Sequence, residues 1–251
     1  MLMKKLVLFV GVIVWAQGLL AQAPPASAQQ PISTVSNVPN SELFKDKRTH
    51  FFYNEYYVIE GRQVYGSPFL FNDWENGIIT TSDGRVFNGY KLKYNAFHQT
   101  VFFSNGKDSL EVNEEIREFV LAVKYPDSLV TSVFVNGNQY RKDKKPAYYE
   151  VLVDDDAGQL LKHNKKVVAE SMQGIPAYEG KKVFALETSY FYWDKKKKKL
   201  ASIKANGSNI GDILGLDANA VELLKVRATD FSLEENTVQF FRGYFQHLRT
   251  K

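Results

Sequence analysis

Between residues 66 and 153 the chain is divided at short intervals by turn dipeptides: Asp83-Gly84, Asn105-Gly106 and Asn136-Gly137, with a further break at Asn95. Glycine in such a pair takes the positive φ that a tight hairpin requires. The runs between the turns are β-branched and aromatic, at 78–81, 86–94, 100–104, 108–112, 116–123 and 132–135. In the second run Tyr90, Leu92 and Tyr94 share a parity and therefore one face of a strand. This rhythm predicts antiparallel hairpins and leaves no room for βαβ crossovers.

The pattern continues at 148–153 and 160–168, joined through Asp154-Asp155-Asp156-Ala157-Gly158, and at 183–193 and 200–205. Within 183–193, Tyr190 and Tyr192 face one side while Phe191 and Trp193 face the other, so this strand is expected to be covered on both faces. Beyond residue 208 the period becomes helical. Asn209 is placed to cap a short helix over 210–214 closed by Gly215, and Asp217 a second running to about Val226. Ser232-Leu233-Glu234-Glu235 has the form of a capping box. A third helix follows, with Val238, Phe241, Phe245 and Leu248 in one stripe beside Phe240 and Tyr244. Such a stripe needs a surface to cover, most simply one face of the sheet. The fold expected is α+β and mainly β: an antiparallel meander or partial barrel with short C-terminal helices packed on one face. It forms a single domain over 43–251, with a helical cap over about 208–249.

The N-terminus predicts where the protein works. Lys4 and Lys5 precede an apolar run over 6–14, and Ala26-Ser27-Ala28 offers small residues for a signal peptidase. That order marks 1–28 as a cleavable secretory signal, and the run is too short for a bilayer-spanning helix. The polar stretch that follows, with Pro31 and Pro39, reads as a flexible leader over 29–42. The chain has no cysteine, so neither lipid anchoring through an N-terminal cysteine nor disulfide stapling is available. Cleavage lowers the net charge from +4 to +2 by removing Lys4 and Lys5. That near-neutral balance argues against a dedicated nucleic-acid binder.

Several of these segments resemble a functionally uncharacterised family of exported proteins widespread in Bacteroidota-type bacteria. They are Gly66-Ser67-Pro68-Phe69-Leu70, Gly77 with its β-branched run, Asp83-Gly84, Leu92-Lys93-Tyr94-Asn95, Tyr149-Glu150-Val151-Leu152-Val153 and Gly158-x-Leu160-Leu161-Lys162. The closing helices, rich in Phe, Tyr and Leu, are similar too. The resemblance implies an envelope location and this fold. Its motifs are turn and core residues, and it brings no catalytic residue with it.

Chemistry is sparse. His50, His98, His163 and His247 are scattered, without the clustered spacing of a metal site. Asp154-Asp155-Asp156 with Gly158 resembles a calcium loop, but position 12 is Lys165 where a bidentate Glu is required, so a turn with solvated carboxylates is the expected reading. In 174–182 the glycines stand one residue too far apart for a phosphate loop, and Lys182 replaces the Ser or Thr. Asp73 and Glu75 around Trp74 fit a strand-end turn better than a pair of glycosidase carboxylates. The most unusual feature is the run Lys195, Lys196, Lys197, Lys198 and Lys199, inside a 141–204 segment with 15 basic and 9 acidic residues. Lysines at a hairpin tip favour solubility and discourage edge pairing. Their sharper reading is contact with an anionic surface, where each can add about 1 kcal/mol.

The function expected is an exported, non-enzymatic binding or scaffold protein, periplasmic or secreted, with no cofactor and no metal. Its expected partners are an envelope protein, an anionic lipid headgroup or an apolar ligand; nucleic acid is not among them, and after cleavage the chain is not an integral membrane protein. Two alternatives remain open at this point. One is a carrier of an apolar ligand in a half-barrel closed by the helices. The other is an envelope hydrolase using His98 or His163 beside a distant carboxylate.

Overall fold

The computed structural model describes residues 56–104, 106, 109–141, 147–170, 180–204, 206–217 and 231–249. The signal, the leader, Asn105 and the helix expected after Asp217 lie outside them. Twelve strands form one sheet. They are β1 (Tyr56–Ile59), β2 (Arg62–Tyr65), β3 (Glu75–Thr81), β4 (Val86–Asn95), β5 (Thr100–Ser104) and β6 (Ser109–Glu111), followed by β7 (Ile116–Tyr125), β8 (Ser128–Asn136), β9 (Tyr148–Asp154), β10 (Gly158–Glu170), β11 (Lys182–Asp194) and β12 (Lys199–Ile203). Two helices are described, α1 (Ile210–Leu214) and α2 (Glu234–Arg249).

Most reversals fall where the turn chemistry puts them. Gly84, at φ 89°, reverses β3 into β4, and the Asp83 carboxylate stays within the turn, bonded to Thr81 and Arg85. Asn136-Gly137 does not close a tight hairpin: Asn136 caps a short 3-10 turn, accepting from the Asn138 amide at 2.9 Å. The β1–β2 hairpin reverses at Glu60-Gly61, at φ 50° and 75°; Gly61 is a turn glycine, but Glu60 stands where Asn or Asp would complete the signal. A left-handed glutamate carries no recognisable turn signal.

Sheet order is β1-β2-β11-β10-β9-β8-β7-β3-β4-β5-β6, with β12 on β11. All pairings are antiparallel except β2 with β11, which is parallel and departs from the expected meander. The path does not close on itself, so the sheet is open. It curls, however, until the β4–β5 turn reaches β10. The β9–β10 ladder stops at Lys162, and there the Lys166 amide donates to Ala96 O at 3.0 Å while Gln99 Nε2 donates to Asn164 O at 3.2 Å. The turn takes over the hydrogen-bonding edge that β9 vacates.

One row of cross-strand neighbours organises the inner face: Phe87, Ile79, Phe119, Phe134, Glu150, Lys162, Tyr190 and Ile203, each opposite the next. Directly opposed residues share a face. The first four belong to an apolar core around Leu92, Tyr94, Phe103 and Leu121. There Phe119 and Phe134 stack at 4.8 Å, and the sheet's own curl covers them. Gly77 is required for this packing, because a Cβ would lie 2.6 Å from Val120 O and 2.5 Å from Leu92 Cδ1.

The far end of the row belongs to a second core, where Leu160, Tyr192 and Ile203 pack against Phe240, Phe241 and Phe245 of α2. The apolar stripe of α2 is therefore borne out, except that Leu248 is exposed at its end. Helix α2 opens at Glu234, two residues after Ser232. Gly215 closes α1 in the left-handed conformation, but Asn209 makes no side-chain cap bond. Its carboxamide instead joins Lys204 N and Ser202 O, fixing the exit of β12. On the outer face a third cluster, Val135, Tyr149 and Leu161, packs with Phe191 and Trp193 and is roofed by Tyr140. The Tyr190–Trp193 end of β11 is thus covered on both faces, as its sequence predicts, while 186–189 are exposed.

Candidate functional site

Four places qualify by charge, by titratable groups or by shape. The first is the lysine run, which the structure sets at the tip of the β11–β12 hairpin. Two of its members are committed. Lys195 pairs with Asp154 at 2.7 Å and its amide donates to Ala157 O, while Lys197 pairs with Asp194 at 3.4 Å. Lys196, Lys198 and Lys199 are exposed and have no acidic partner among the described residues. Lys198 holds φ 50°, a position at which glycine or asparagine is more easily accommodated.

In the acidic turn beside this tip Asp154 and Asp156 are exposed, as expected of solvated carboxylates, but the middle residue is not. Asp155 is buried, its carboxylate accepts from the Ala157 amide at 3.0 Å, and it is ion-paired with Arg249 at the end of α2. Burial alone would raise its pKa, but the Ala157 amide, Arg249 and Lys195 together hold the carboxyl below the usual carboxylate range. A carboxylate already saturated by an amide and a guanidinium is poorly disposed to ligate calcium.

The second place is a polar seam between the two inner cores. Lys162 lies between Glu234, at 2.8 Å, and Glu150, at 3.4 Å. Glu150 also accepts from Ser132 Oγ at 2.8 Å and Asn164 Nδ2 at 3.3 Å, and Asn164 accepts from Thr188. Tyr190 donates to Glu234 at 2.7 Å. Burial would lower the Lys162 pKa, yet the two carboxylates outweigh it and the ammonium stays charged. Burial, reinforced by Glu234, raises Tyr190 and keeps its hydroxyl protonated. Through these bonds Glu234, at the start of α2, is tied to Lys162 and Tyr190 of the sheet.

The third place concerns the histidines. His98 is exposed in the β4–β5 turn, its ring edge-on to Phe97 and its amide bonded to Asn95. His163 is half-buried on β10, with Nε2 3.3 Å from Gln99 Oε1 and its ring against Tyr149. Burial, and then Arg141 and Lys165, lower its pKa, so it is neutral at pH 7. Neither ring has a carboxylate partner among the described residues, which deprives an acid–base pair of its orienting group. Gln99 serves instead as a structural knot, also accepting from the Tyr94 hydroxyl at 2.7 Å and the Tyr148 amide at 3.2 Å. Asp73 is exposed and Glu75 buried, one on each side of the start of β3.

The fourth place is a cleft of about 310 Å³ beside the far half of β10. It is bounded by the β1–β2 turn, by Phe97 and by residues 165–168, segments that no sequence motif connects. Among the described residues no three His, Asp or Glu side chains converge as metal ligands, and no helix is long and apolar enough to cross a membrane. No family model, no curated protein and no solved structure matches the chain.

Proposed function

We propose that the protein is an exported, non-enzymatic binding protein of the bacterial envelope that meets anionic surfaces through the β11–β12 tip. Export rests on the basic, apolar and small-residue order of residues 1–28. The observation that carries the contact is the division within the lysine run. Lys195 and Lys197 brace the tip against Asp154 and Asp194, leaving Lys196 and Lys198 exposed in the turn and Lys199 at the start of β12. Three such lysines near an anionic bilayer are together worth about 3 kcal/mol at low salt. The site beneath α2, where an apolar ligand would have to lie, is occupied by the rings of Tyr192, Phe241 and Phe245.

Co-sedimentation with vesicles containing phosphatidylglycerol tests this reading. Replacing Lys196, Lys198 and Lys199 together with Gln is expected to weaken binding at least tenfold, and undiminished binding removes the proposal. Lys198→Gly separates charge from conformation: relief of the left-handed residue is expected to raise the melting temperature while vesicle affinity falls.

A further inference from the structure

The cleft beside β10 has the chemistry of a ligand site, independent of the lysine tip. Ile59, Phe97 and Val168 supply apolar walls, and Arg62 and Lys166 supply cations, against one carboxylate, Glu60. Lys182 also borders it but is already paired with Glu170 at 2.8 Å. Lys166 differs. Its backbone is fixed by the bond to Ala96, yet its ammonium has no carboxylate partner among the described residues. Burial pushes its pKa down, the mark of a cation lacking a counter-charge.

Strand geometry adds a second group. The Lys166 amide points away from β11 to reach Ala96, so the Val168 amide, two residues on, points the same way. No described strand pairs with β10 there, because β9 ends opposite Lys162. The same margin therefore combines an uncompensated ammonium and a backbone donor with apolar walls. The volume lies at the low end of the roughly 300–1,000 Å³ typical of small-molecule sites, which restricts the apolar part to a short chain or a single ring.

We propose that this cleft binds a small amphiphilic anion, its head at Lys166 and Arg62 and its apolar body against Phe97 and Val168. The head supplies the counter-charge missing at Lys166, and the body displaces water from walls that the β1–β2 turn leaves uncovered.

Calorimetric titration of the full protein with octanoate and with phenylacetate distinguishes a lipid-derived chain from an aromatic acid. Saturable binding of either one is expected, with octanol and acetate each at least tenfold weaker because each lacks one half of the ligand. Lys166→Gln is expected to reduce affinity at least tenfold and Lys166→Arg to retain it, both with unchanged circular dichroism. The variant lacking Lys196, Lys198 and Lys199 is expected to bind as the parent does, so failure at the tip and failure at the cleft are separable. Absence of saturation by both acids, octanol binding as tightly as octanoate, or indifference to Lys166→Gln overturns the proposal.

Discussion

The two cores on the inner face are sealed by opposite means. Around Phe119 and Phe134 the sheet curls over its own side chains, and the contacts are rings on rings. Around Tyr192 and Ile203 the sheet is flatter in function, a platform covered by α2, a separate element that arrives late in sequence. That helix is held at its start by Glu234 on Lys162 and at its end by Arg249 on Asp155. One core is closed by the sheet's own rings, with the Tyr94 hydroxyl bonded to Gln99; the other adds ionised clamps. Between them the inner row turns charged at Glu150 and Lys162, so the seam that separates the cores also carries a clamp for the second.

The largest test compares Phe119→Ala with Phe241→Ala, both fully buried, each expected to cost about 3–5 kcal/mol. Hydrogen exchange should register the difference. Phe119→Ala is expected to lower protection throughout the sheet, whereas Phe241→Ala releases α2 and leaves β3–β8 protected. Equal loss of protection across β3–β8 in both variants would show one cooperative core and end the comparison.

Lys162→Met is the next in size. Removing the cation leaves Glu150 part-buried without its ammonium, and an uncompensated charge of this kind costs about 3 kcal/mol. The double variant Lys162→Met with Glu150→Gln is expected to recover much of that loss in urea denaturation. Failure to recover would mean that Lys162 acts through Glu234 alone.

The smallest effect is acidic. Because the Asp155 carboxyl is depressed, its stabilisation is complete above the unfolded value of about 3.9 and is lost as pH falls through the lower folded value. Arg249 is exposed, so the contribution is no more than about 1 kcal/mol. Melting temperatures measured between pH 5 and pH 2 are expected to fall less steeply for Asp155→Asn than for the parent. Parallel pH profiles would remove Asp155 from the clamp.

Local signals made the hairpins legible wherever one dipeptide decided the reversal, as at Asp83-Gly84, and the alternation at Tyr190 to Trp193 correctly announced a strand end covered twice. What escaped was set by distant partners. Glu60 takes the left-handed place before the turn glycine Gly61 where Asn or Asp is usual, and β2 meets β11 in parallel across more than a hundred residues. Asp155 sits in what reads as a solvated acidic turn until Arg249 closes on it. Lys166 is one lysine among many until the β4–β5 turn and the β1–β2 turn gather around it. The lysine run was visible because it is contiguous; its division into braced and uncommitted members was not, since Asp154 belongs to another hairpin.

The bond from Lys166 to Ala96 also carries a temporal meaning. It joins groups about 70 residues apart, whereas every pairing among β3–β8 is completed within 75–136. Contacts of such separation form late, after shorter loops have closed. A chain delivered from its N-terminus can therefore assemble the first core while the Ala96 carbonyl still faces water. Only when β10 emerges does that carbonyl find its donor, and in the same event the margin carrying Lys166 comes into being. The cleft also needs Lys182 of β11, so in chain order it is completed only after the strands of the first core.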